Sequence, residues 1–218
     1  MSSRILTIVL SVAIVMAVAV FFISYSANVR MPGNNQGFEP VQPIAYSHRL
    51  HAGELGIPCL HCHVGAEKGK HAGIPPVNTC MNCHSIVTAP YVNAKAEEDS
   101  AAKEKRSARP IISTELEKIY TAFGVDAKLK YDASKPHTPI QWVRIHNLPD
   151  FVYFDHRPHV NAGVDCAICH GPVETMERVR QVSDLTMGWC VNCHRDANIN
   201  GVNNKVVHAP TDCSGCHY

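Results

Sequence analysis

The chain has 218 residues, a formal net charge of +1, 14 histidines and 10 cysteines. A near-neutral balance offers no basic patch to a polyanion, so no nucleic-acid partner is expected. Cysteines this numerous, each paired with another three positions away, exclude an ordinary enzyme core, in which thiols are sparse and irregularly spaced.

From the amino terminus, Ile5–Tyr25 (ILTIVLSVAIVMAVAVFFISY) carries no charge. A helix of about 20 apolar residues crosses the roughly 30 Å hydrocarbon core of a bilayer. Residues 1–26 are therefore expected to form an uncleaved transmembrane anchor. The competing reading, a signal peptide cleaved near Ser24-x-Ser26, fits less well, because the apolar region of a signal usually runs about 7–15 residues. Ala13 and Ala17 would permit close approach of a second membrane helix, although such spacing is common in lipid-facing segments. Flanking charge is a weak guide to orientation, with Arg4 before the helix and Arg30 after it.

Residues 27–45, with Pro32, Gly33, Gly37 and Pro40, read as an extended linker. Residues 46–218 then hold five Cys-x-x-Cys-His units: Cys59/Cys62/His63, Cys80/Cys83/His84, Cys166/Cys169/His170, Cys190/Cys193/His194 and Cys213/Cys216/His217. This is the attachment signature of c-type haem. Two thiols three positions apart reach the vinyl carbons on one porphyrin edge, and the adjacent imidazole is carried under the iron as the proximal ligand. The pattern predicts five covalently bound haem c. Zinc ribbons also use Cys-x-x-Cys but do not need a histidine directly after the second thiol, and each pair here has one. Thiols this close do not make a loop-spanning disulfide staple either.

About 40 residues per haem are too few to enclose each porphyrin in its own protein core. The expected fold is that of a multihaem cytochrome c, with one N-terminal transmembrane helix and a mostly α and irregular domain in which the haems form the core. Haem c is attached on the outer side of the bacterial cytoplasmic membrane, so everything after Tyr25 is expected to be periplasmic. Two propionates per haem against one ferric-core positive charge would shift the mature charge by roughly −5.

Aligning the motifs reveals a repeat. Tyr46-Ser-His48-Arg49-Leu-His51 precedes Cys59–His63 and Cys80–His84, as Phe154-Asp-His156-Arg157-Pro-His159 precedes Cys166–His170 and Cys190–His194. The domain reads as two di-haem units plus a fifth haem at the carboxyl end. Between the units lies a cysteine-free insertion around 85–141. Within it Asn93–Arg106 suggests a solvated helix, and Ile111–Phe123 a helix capped by Ser113 or Thr114. A surface arm or docking element is expected there rather than a redox site.

Five distal ligands remain to be found. His48 and His156 can fold back over haems 1 and 3. His51 and His159 lie about a turn further along and can reach a different haem. His71 is a local candidate for haem 2. No histidine lies between His170 and His194, so haem 4 needs a remote imidazole or a sulfur, from Met187 or Met176; packing is the simpler role for Met187. His146 and His208 are reserves. His61 is poorly placed for its own iron, and His137 reads as a loop residue.

Six-coordinate irons bind no substrate, which favours an electron conduit. Two rival classes are a multihaem reductase of a small inorganic substrate, which needs an open iron, and a stand-alone quinol dehydrogenase cytochrome. No motif has Lys in place of His, against the first; more than thirty residues separate Tyr25 from Cys59, so the first haem need not lie at the membrane, against the second.

Tyr46–His84, Gln141–Arg195 and the terminal HAPTDCSGCHY together resemble the membrane-anchored pentahaem cytochrome c subunit of alternative complex III, a quinol:electron-acceptor oxidoreductase. The resemblance covers all five haem sites and most of the domain, but not the segment Asn93–Arg106. It implies a place in a respiratory complex with polytopic quinol-oxidising subunits, a large iron–sulfur subunit and a monohaem cytochrome c that leads to a terminal oxidase. No residue is identifiable as an acid or base for quinol, so the chain is not expected to be catalytic alone.

Overall fold

The computed structural model describes residues 3–28, 34–126, 130–135 and 137–217. Arg30 and the stretch 29–33 of the expected linker lie outside them. Helix α1 spans Ser3–Asn28, and Arg4–Tyr25 within it is long and apolar enough to cross a membrane. Its side chains from Arg4 to Tyr25 are exposed all round, as suits a helix whose solvent is lipid.

The rest is built from short helices joined by irregular chain. In order these are a π-helical turn at Arg49–Glu54, α2 (Cys59–Cys62), α3 (Val77–His84), α4 (Tyr91–Lys103), α5 (Thr114–Phe123), α6 (His156–Ala162), α7 (Cys166–His170) and α8 (Met187–Asn200). Two 3-10 turns lie at Val173–Thr175 and Cys213–Gly215. Among the described residues β pairing is limited to isolated bridges, Val125 with Tyr131, Val152 with His217 and Val202 with Lys205.

The insertion divides into two unlike parts. Helix α4 is solvated, with Ala101 its one buried residue, and is tied by ion pairs such as Lys95–Asp99 at 2.7 Å. Beyond it, Arg106 returns to Glu97 at 2.5 Å. Helix α5 is amphipathic. Ser113 caps it by accepting from Leu116 N at 3.3 Å, and Gly124 closes it at φ 81°, where a side chain would be strained. Leu116, Ile119 and Tyr120 share one face and join Ile44 and Val125 in a buried apolar cluster, against which Val77, Cys80 and Met81 of α3 pack. The insertion is thus more than the surface arm expected of it, because half of it covers the helix that carries the second motif.

Residues 35–45, within the stretch expected as a linker, are docked rather than loose. Asn35 donates to Ile145 O at 3.0 Å, and Gln36 to Val182 O at 3.0 Å. Gly37 N donates to Gln181 O, and Gln181 N returns to Phe38 O. The Gln42 amide forms a two-way pair with the Val143 backbone. Ala45 N then reaches Glu115, and Lys118 reaches Pro43 O. Gln181 is fully buried beneath this seam.

Candidate haem-binding site

Each of the five motifs begins a helical turn or lies in one. Pro58 precedes α2; Asp165, Thr186 and Asp212 cap α7, α8 and the last 3-10 turn through their side-chain oxygens. Positions three apart in such a turn lie on one face, so both thiols of a motif point the same way. All ten thiols are free.

The imidazoles meet in pairs. His48 stacks on His63 with ring centroids 6.5 Å apart and planes within 4°, and His156 stacks on His170 at 6.3 Å and 8°. His51 faces His84 at 6.1 Å and His159 faces His194 at 6.0 Å. Two ring nitrogens about 2 Å either side of one metal ion place their ring centroids roughly 6 Å apart. Each pair therefore has the separation that a single iron between two imidazoles requires.

In six of these eight rings the other nitrogen meets a backbone carbonyl, whereas Nδ1 of His48 is buried without a partner. Nδ1 of His63 lies 2.6 Å from Gly73 O, that of His84 2.8 Å from Val87 O and that of His194 2.6 Å from Pro210 O. Nδ1 of His51 reaches Ser47 O, of His156 Lys70 O and of His159 Asp155 O, at 2.8, 2.9 and 2.8 Å. A carbonyl only accepts, so each Nδ1 carries the proton and Nε2 is left as the lone-pair nitrogen that a metal binds. His170 differs, with Nδ1 3.2 Å from Nε2 of His146.

An aromatic ring braces each turn. Tyr46 lies against His48 and His51 with centroids at 4.8 and 4.4 Å, and Phe154 against His156 and His159 at 4.8 and 4.9 Å. The repeat displayed this aromatic position in the sequence, but its bracing role was not drawn from it. Burial also sets the charge state. It lowers His48 to about 4, aided by His63 and His51, and lowers His146 and His170 to about 4. His159 is lowered too, mainly by burial. These rings are neutral near pH 7, the form that binds metal.

The remaining candidates lie elsewhere. His71 is exposed, and the ring that faces His84 is that of His51. Met187 is 69% exposed at the start of α8, and Met176 is buried. His208 is exposed. At the fifth motif His217 stacks on Phe151 at 5.7 Å, its Nδ1 3.3 Å from Phe151 O. His137 bonds Tyr131 at 3.0 Å.

Paired thiols on single turns, imidazoles 6.0–6.5 Å apart and Nε2 atoms left free form a donor set that fits covalent haem. Residues 152–218, which carry the third to fifth motifs, match the family model for cytochrome c7 and related cytochrome c. Fold and site over this stretch are those of a cytochrome c7-like multihaem domain, a class that carries electrons on covalently bound c-type haem. Over 196 residues the chain is 26% identical to the multihaem cytochrome c subunit of menaquinone reductase from Nitratidesulfovibrio vulgaris (strain Hildenborough), an overlap of 81% of this chain and 76% of that subunit.

Proposed function

We propose that this chain is the membrane-anchored electron-transfer subunit of a quinol-oxidising respiratory complex of the alternative complex III type, with five haem c on the periplasmic side. Cys59, Cys62, Cys80, Cys83, Cys166, Cys169, Cys190, Cys193, Cys213 and Cys216 would hold the haems, and His63, His84, His170, His194 and His217 would be their proximal ligands. His48, His51, His156 and His159 would be distal ligands to the first, second, third and fourth. When bound, the haems supply reversible one-electron iron chemistry.

The observation that carries this reading is the set of four facing imidazole pairs, which would fill both axial positions of four irons and leave them no vacancy for substrate. The chain's own work is to hold these rings in facing pairs and aim their Nε2 atoms. Electrons would pass from polytopic quinol-oxidising subunits and an iron–sulfur subunit toward a periplasmic monohaem cytochrome c or terminal oxidase.

A second reading reverses the flow. The relative is a subunit of a menaquinone reductase, so electrons in a related complex would run toward quinone.

Two measurements on detergent-extracted protein in its complex test these readings. Haem quantified per chain, with a carbon monoxide difference spectrum of the reduced protein, should give five haems and no shift from the four irons with paired imidazoles; a shift exceeding one haem would favour a reductase with an open iron. Oxidised complex mixed with a quinol analogue should show haem reduction. If the haems are reduced only by a cytochrome donor and are reoxidised by quinone, the second reading stands.

A further inference from the structure

The motifs follow one another along the chain, but the contacts do not bring them together in that order. His48 and His51 share one turn yet face His63 and His84, so a single turn serves the first and second sites. Helix α6 does the same for the third and fourth, through His156 opposite His170 and His159 opposite His194. Each turn therefore staples two sites side by side.

The two staples meet through the first and third sites. His156, whose ring faces His170, donates to Lys70 O, on the segment that follows the first motif. Arg49 N, between the two histidines of the first staple, donates to Met176 O just beyond the third motif at 2.9 Å. A Cβ added at Gly53 would lie 2.3 Å from Glu174 O, so this crossing is close enough to require glycine. At the far side the fourth motif meets the fifth segment. His194 donates to Pro210 O, and Asn198 pairs with the Ala209 backbone at 2.9 and 2.7 Å.

Building on the five-haem reading, we propose that the chain arranges its attachment sites in the spatial order second, first, third, fourth, fifth, with the second and fifth sites as the two ends. The insertion then acquires a structural reason. Each repeat ends in a motif that needs cover on its outer side. In the second repeat that cover is the fifth segment, from Pro210 to Cys216. In the first repeat no further motif follows, and the cover is α5, whose Tyr120 hydroxyl donates to His84 O at 2.6 Å while its apolar face packs on Val77, Cys80 and Met81. The insertion and the fifth site thus stand in equivalent places, one ending the row with protein and the other extending it.

The test is to locate the irons of the haem-loaded full chain, by anomalous scattering at the iron edge or by electron cryomicroscopy, and to count haem per chain as pyridine haemochromogen. The iron on His63 should have those on His84 and His170 as its nearest neighbours. The iron on His194 should lie between those on His170 and His217, and the iron on His84 should have a single neighbour. Five haems in any other neighbour order overturn the arrangement and leave the pentahaem reading intact. Fewer than five haems per chain overturn the pentahaem reading itself.

Discussion

An imidazole binds iron only through a nitrogen that carries no proton, and here the backbone decides which nitrogen that is. Six of the eight paired rings give Nδ1–H to a main-chain carbonyl. Such a bond fixes tautomer and ring orientation together. The ten cysteines and the histidine after each pair were legible in the sequence because the covalent chemistry fixes their spacing. The facing of His51 and His84 was not, since His71 lies nearer to Cys80 along the chain and only the folded path of the π-turn brings His51 across. His156→Ala should leave Cys166 and Cys169 free to hold their haem, so haem per chain stays unchanged. One low-spin signal should become high-spin in electron paramagnetic resonance; an unchanged set of low-spin signals would refute the role proposed for His156.

Among elements, α5 separates what is local from what is not. Its start and its apolar stripe were readable, because a Ser cap and an i, i+3, i+4 pattern are properties of adjacent residues. Its burial was not, because its partners Ile44, Val77 and Met81 come from distant parts of the chain. The two staple turns make a similar point. One aromatic-x-His-Arg-x-His pattern becomes a π-turn in the first repeat and an α-helix in the second. In each the residue after the aromatic caps the turn, Ser47 accepting from Leu50 N and Asp155 from Arg157 N. Tyr120→Phe removes the bond to His84 O and should cost about 1 kcal/mol, seen as a melting temperature lower by roughly 2–4 °C. An unchanged melting temperature would mean that α5 does not support the second motif.

At the scale of the whole molecule, buried neutral histidines set the response to acid. In the folded chain His48, His146 and His170 titrate at about 4, against an ordinary value of 6.5. Below about 6.5 the unfolded chain binds more protons than the folded one, so stability is complete above that pH and declines as pH falls toward 4. Carboxylates held low add to the loss in stronger acid. Glu97, lowered to about 2 by the Arg106 hydrogen bond and then by the Arg109 N–H, gives up its contribution as pH drops from about 4.5 through 2. The urea midpoint should therefore be lower at pH 5 than at pH 7.5; equal midpoints would refute this account.

The seam that stitches residues 35–45 to Ile145, Val182 and Glu115 also limits where the domain can travel. With that strip fastened, only residues 29–34 separate the end of α1 from the first fastened residue, Asn35, and at about 3.5 Å per residue that link reaches no further than roughly 25 Å whatever path it takes. A domain on so short a leash would stay within that distance of any bilayer that holds α1. Under the function proposed above, the face of the domain that carries this strip would be the one turned toward the membrane.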